Sequence, residues 1–173
     1  MKKIPSVEEC IELLQKQGCS EEVINHCKAV RDIAVNIAKR TNADIRLIEA
    51  GALLHDIGRA KTHGITHGIE GAKIAKKIGL PKSIIRIIEC HIGAGIPKEE
   101  AVLLGLPKKD YIPSSLEEKI ISHADNLTDS NKKQRIEKAV ENAKSQGFEA
   151  FANRLIKMHN ELSKICGIDL DDI

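Results

Sequence analysis

Aromatic side chains are almost missing from this chain: its 173 residues include no Trp, one Tyr and two Phe. With only Tyr111, Phe148 and Phe151 to stack on, a groove that reads many bases of single-stranded nucleic acid is excluded. The interior must therefore be built from Ile, Leu, Val and Ala. An excess of one charge is lacking too. The 27 basic and 25 acidic residues leave a formal net charge of +2, too little to hold a polyanion by bulk electrostatics. No apolar run approaches the length of a membrane span. Met1-Lys2-Lys3 looks like the start of an export signal, but Glu8, Glu9 and Glu12 interrupt any apolar stretch behind it. The five cysteines (10, 19, 27, 90 and 166) are odd in number and form no Cys-x-x-Cys pair. That speaks against a disulfide framework and a thiolate zinc knuckle, and the chain reads as reduced and cytoplasmic.

A length of 173 residues with 42% hydrophobic and 30% charged content suits one soluble domain, 1–173, with a single sizeable core. Nearly every long segment carries apolar residues at helical spacing, and none alternates as a strand would. The expectation is an all-α, single-domain bundle of seven to eight helices. These fall at 6–17, 20–40, 44–56, 67–79, 81–91, 115–129, 132–145 and 148–166. Ser20 reads as an N-cap, Ser115 with Glu118 as a capping box, and Pro81 as a first-turn residue. Residues 93–113, rich in Gly and Pro, form the longest irregular stretch and a candidate pocket wall.

One dipeptide concentrates the chemistry. His55-Asp56 follows the run Ala50-Gly51-Ala52-Leu53-Leu54, offering an imidazole and a carboxylate to one cation. A carboxylate after so many apolar or small residues is costly to bury without a partner. The plain alternative is a helix C-terminus with the His favouring the dipole and the Asp facing water. Four more residues sit on or beside apolar faces: His26, in register with Val23, Val30 and Ile33; His67 at a helix start; His91 at a helix end; and Asp125 beside Ile121 and Ala124. Read singly, each has an ordinary explanation, and a lone core histidine such as His26 is usually structural. Together they can converge inside a helical bundle. His123 and His159 read as packing or surface residues, and Cys27 and Cys90 as packing residues.

The order His26, "LLHDIG", "HGIEGAKIA", His91 and "ISHADNL" resembles the HD superfamily of metal-dependent phosphohydrolases over roughly residues 20–131. Residues 132–173 add further helix. The resemblance implies one metal held by His26, His55, Asp56 and Asp125, and a second held by His67 and His91 with Asp56 bridging. His63 competes with His67, which is preferred for its context and because a helix start also offers N–H groups to an anion. Two divalent ions are implied, Fe, Mn or Co before Ni, Zn or Mg, in a phosphohydrolase using a metal-activated hydroxide. The implied partner is a small phosphorylated substrate such as a nucleotide, gripped by Arg59 and by Lys61, with self-association left open. His55, Asp56 and Arg59 are the implied catalytic residues. Relatives similar to myo-inositol oxygenase use the same ligand order for diiron oxygen chemistry, and a silent metal-binding regulatory module is a third reading. The segment "IGAGIP" after His91 lacks the pattern of cyclic-di-GMP phosphodiesterases.

Overall fold

A computed structural model describes residues 3–173, and among them lie nine α-helices and one small hairpin. Helix α1 (Val7–Gln17) opens with a reciprocal capping box between Ser6 and Glu9 and stops at Gly18, whose φ of +85° favours glycine. Helix α2 (Glu21–Ala38) starts where Ser20 Oγ accepts from the Val23 amide, as its N-cap reading required. Helix α3 (Ile45–Leu54) is capped by Asp44 and runs into a 3₁₀ turn at Ile57–Ala60. Helices α4 (His67–Ile78) and α5 (Lys82–Cys90) form the next pair. A short helix α6 (Lys98–Leu103) precedes α7 (Leu116–Asn126), and α8 (Ile136–Ser145) and α9 (Glu149–Cys166) complete the set.

Three details differ from expectation. The ninth helix is α6, the short helical stretch inside the Gly- and Pro-rich segment. That segment is also tied at its base, because Ile96 and Tyr111 exchange backbone hydrogen bonds of 3.1 and 2.9 Å. Between α7 and α8 lies an antiparallel hairpin, β1 (Thr128–Asp129) with β2 (Lys132–Lys133). Its two-residue strands are too short to alternate, so periodicity could not reveal it. The capping box at α7 is half formed. Ser115 Oγ caps the Glu118 amide, but the Glu118 carboxylate accepts from the Ser114 amide at 2.7 Å.

The core is aliphatic, as aromatic scarcity demands. Ile37, Ile48, Ile120, Ile121 and Leu162 join α2, α3, α7 and α9 in one buried cluster. Leu14, Leu53, Leu54, Ala75, Ile84 and Ile88 join α1, α3, α4 and α5 in another. Helix α3 therefore serves both. It fits because Gly51 has no side chain: a Cβ there would lie 2.7 Å from Ile121 Cδ1 and 2.8 Å from Ile87 Cδ1. Gly58 makes a tighter crossing, since an added Cβ would meet the backbone oxygen of His67 at 1.8 Å and the Gly71 amide nitrogen at 2.6 Å. Backbone atoms cannot rotate away as a side-chain tip can. Gly58→Ala is thus expected to destabilise the fold by about 1–3 kcal/mol, the usual cost of overpacking. Gly64→Ala, whose nearest neighbour is the Thr62 hydroxyl at 3.5 Å, should be nearly neutral. Urea unfolding of both variants checks the contrast.

Candidate metal centre

Helix ends assemble the site. His55 caps the C-terminus of α3, His91 caps that of α5, and Asp125 lies in the last turn of α7. Three helix C-termini, each with partial negative charge, thus converge where a cation would bind. His26 comes from the middle of α2 and His67 opens α4. Asp56 sits in the bend between α3 and the 3₁₀ turn, and is only 2% exposed.

Asp56 divides the cluster into two halves. Its Oδ2 lies 3.8 Å from His26 Nε2 and 3.7 Å from His55 Nε2, and Asp125 Oδ1 completes this half at 2.9 and 3.6 Å from the same nitrogens. Its Oδ1 lies 3.2 Å from His67 Nε2 and 3.4 Å from His91 Nε2.

Proton bookkeeping shows what the cluster is built to take. The Nδ1 atom of each ring faces a backbone carbonyl: Ala52 for His55 (2.7 Å), Gly64 for His67 (2.9 Å), Ile88 for His91 (2.8 Å) and Ser130 for His26. A carbonyl only accepts, so each Nδ1 carries a ring proton and each ring turns its Nε2 inward, where a cation could take the place of any second proton. His67 and His91 bring their Nε2 atoms within 3.0 Å, a contact that needs either a shared proton or a cation between them. His55 Nε2 and Asp56 Oδ1 are buried with no hydrogen-bond partner among the described residues. Orphaned acceptors of this kind are costly unless a cation satisfies them. Four imidazoles and two carboxylates are also the donor types that divalent transition metals prefer. The residues fit the metal.

The charges agree. Burial opposes ionisation of Asp56, but His55, His67 and His91 outweigh it and hold the carboxyl well below the usual carboxylate range. Desolvation likewise opposes the Asp125 charge, and the hydrogen-bonded His26 with the nearby His55 outweighs it, lowering it further. Burial alone would push His55 down, yet the Asp56 charge beside it raises it well above the ordinary imidazole value. Burial prevails at His91 and lowers it.

All six residues read from the sequence as ligands therefore meet in one cluster. His63, the competitor, is exposed, and its backbone oxygen accepts from Arg59 Nη1 at 3.3 Å. Arg59 is not held open in its loop: its Nε donates to Asp56 Oδ2 at 2.6 Å. Lys61 is exposed and the structure does not bring it to the cluster. Cys27 and Cys90 are buried, and Cys27 lies close enough to His55 to bear on its charge. His123 points away from the cluster and pairs with His159 Nδ1 at 3.0 Å, while burial drives its basicity down to about 3. Ser130, which anchors His26 from the hairpin turn, was not picked out from the sequence. Its only signal is the turn-forming run Asp129-Ser130-Asn131, and its φ of +57° confirms a tight turn.

The sequence profile of the family described as HD domain matches residues 23–129, spanning every residue of the cluster. The chain belongs to the HD-domain family. A Thermoplasma volcanium protein named tRNA (cytidine(56)-2'-O)-methyltransferase is 49% identical over 173 residues, all of this chain and 51% of that protein. The chain thus spans about half the length of this curated relative. An uncharacterized protein of Methanocaldococcus jannaschii is 45% identical over 155 residues, 87% of each chain. Among solved structures, the HD domain of the L. monocytogenes phosphodiesterase PgpH shares the fold with a TM-score of 0.61. It is 19% identical and the match covers 94% of this chain and 95% of that one.

If the cluster holds metal, the position of Asp56 between its halves gives its members unequal effects. Asp56→Ala is expected to remove nearly all bound metal. His67→Ala should leave close to one ion per chain, and His63→Ala should leave the wild-type content of about two. Elemental analysis alongside melting temperature checks this, since loss of a mere packing histidine would lower stability without selective metal loss.

Proposed function

We propose that this chain is a metal-dependent phosphohydrolase acting on a nucleotide or RNA phosphate ester. The observation that supports it most is the division of Asp56 between two sets of inward-pointing imidazole nitrogens, a donor arrangement suited to a pair of cations. Two divalent ions held by these six residues would acidify a water and neutralise phosphoryl oxygens. Fe, Mn or Co suits so nitrogen-rich a set better than Mg, which prefers oxygen ligands.

The protein's own groups prepare the reaction. The four Nδ1–carbonyl bonds keep the rings from turning, so the ligands are set before substrate arrives. Arg59 compensates the buried Asp56 charge. Once a cation takes over that task, the guanidinium is free to grip a phosphate oxygen, where its planar fork suits the geometry. Lys61, exposed two residues on, adds attraction for an anion without a fixed contact. Two cavities reach the cluster. One of about 240 Å³ is bounded by His26, Asp56, Arg59 and His63, and another of about 600 Å³ borders Asp125. Room on two approaches suits a phosphodiester, which carries a substituent on each side of phosphorus. The relative named as a tRNA methyltransferase supports RNA as a source of such esters.

Protein reconstituted with Mn(II) or Fe(II) should cleave bis(p-nitrophenyl) phosphate and members of a panel of mononucleotides, 2′,3′-cyclic nucleotides and short oligoribonucleotides. The rate should be equal under air and nitrogen, and Asp125→Ala should abolish most of it. A fully loaded protein that cleaves no ester, or that consumes oxygen with substrate, overturns the reading.

A further inference from the structure

Two of the three aromatic residues in the chain lie on one cavity, the space of about 600 Å³ that also touches Asp125. Phe148, 52% exposed, stands at the turn between α8 and α9, and Phe151 lies one turn into α9. Three residues apart at a helix start, the two rings share one face. The position of Phe151 is built in. Its ring occupies the space a Cβ on Gly93 would fill, at 2.1 Å, and Gly93 itself is tied by its carbonyl to the Asn126 amide at 2.8 Å.

The same wall carries amides. Asn142 and Gln146 project from consecutive turns at the end of α8, and Gln146 Nε2 donates to Asn142 Oδ1 at 3.1 Å. Gln134 donates to the Asn126 carbonyl at 2.9 Å. These bonds leave Asn142 Nδ2 and the Oε1 atoms of Gln134 and Gln146 with no partner among the described residues, so amide donors and acceptors on this half-open wall can bond a ligand in place of water. An aromatic surface, a polar amide edge and a volume inside the usual range for small-molecule sites describe a receptor for a flat heterocycle with hydrogen-bonding edges.

We propose that this cavity is a nucleoside subsite, in which Phe148 and Phe151 stack the base while Asn142, Gln146 and Gln134 bond its edge. The inference rests on the phosphate chemistry proposed for the adjacent cluster, since Asp125 borders both. All five residues lie beyond the segment matched to the HD-domain family, which ends at residue 129. The subsite is therefore a feature of this chain's C-terminal helices. It selects the substrate, and the cluster cuts it.

The test uses the full, metal-loaded chain and 2-aminopurine riboside, a fluorescent nucleoside with no phosphate to cleave. Stacking should quench it saturably. Phe148→Ala and Phe151→Leu should each weaken binding about tenfold, within the range expected for one stacked base. Phe148→Trp should restore it, which a general loss of structure would not allow. Absence of saturable quenching, or equal affinity in wild type and both weakened variants, overturns the subsite. A parallel titration with an oligoribonucleotide ending in 3′-terminal 2-aminopurine distinguishes an RNA end from a free nucleotide, whichever binds more tightly. Because the riboside reports binding alone, quenching without cleavage of any ester would retain the subsite and remove the phosphohydrolase reading. Cleavage without quenching would do the reverse.

Discussion

A single buried carboxylate organises this molecule. Asp56 is 2% exposed, and an ionised carboxyl at that depth costs several kcal/mol unless it is paired. Its surroundings are consequently imidazoles and a guanidinium brought from α2, the end of α3, the 3₁₀ turn, the start of α4 and the end of α5. The helices must cross closely enough to deliver them, which is why small residues stand at the crossings: Gly51 in α3, Gly58 in the 3₁₀ turn and Gly71 in α4. The two aliphatic clusters lie around this centre, and α3, which contributes to both, ends in His55.

Much of the arrangement was legible beforehand, because metal-binding chemistry leaves polar residues on faces that are otherwise apolar. His26, His91 and Asp125 each stood out against the Ile and Val of their helices, and the order of the six ligands carried the resemblance that joined them. The α-helices were legible from periodicity and from Ser20, Pro81 and Ser115 at their starts. What escaped had no periodic or compositional trace. The hairpin at 128–133 is too short, and Ser130 acts on His26 through its carbonyl, a group every residue possesses. The attachment of Arg59 to Asp56 depends on burial that only the assembled structure reveals.

The pocket was half legible. The segment 93–113 read as a wall, and Ile96, Glu100 and Leu104 do line the cavity beside Asp125. The opposite wall comes from α8 and α9, which are remote in sequence from every motif. The scarcity of aromatics had suggested that no extended stacking surface exists. Scarcity did not reveal that two of the three aromatics border the same cavity as Asp125.

The carbonyls that hold the rings have a further consequence. For His55, His67 and His91 the anchoring oxygen belongs to the residue three places earlier: Ala52, Gly64 and Ile88. Each ring is thus aimed by its own short stretch of backbone, before distant parts of the chain arrive. Because the aiming group is a peptide oxygen, side chains at those three positions can drift over generations without disturbing how the ligands point. His26 differs. Its anchor lies 104 residues away, so only this ligand makes the tip of the hairpin answerable to the centre.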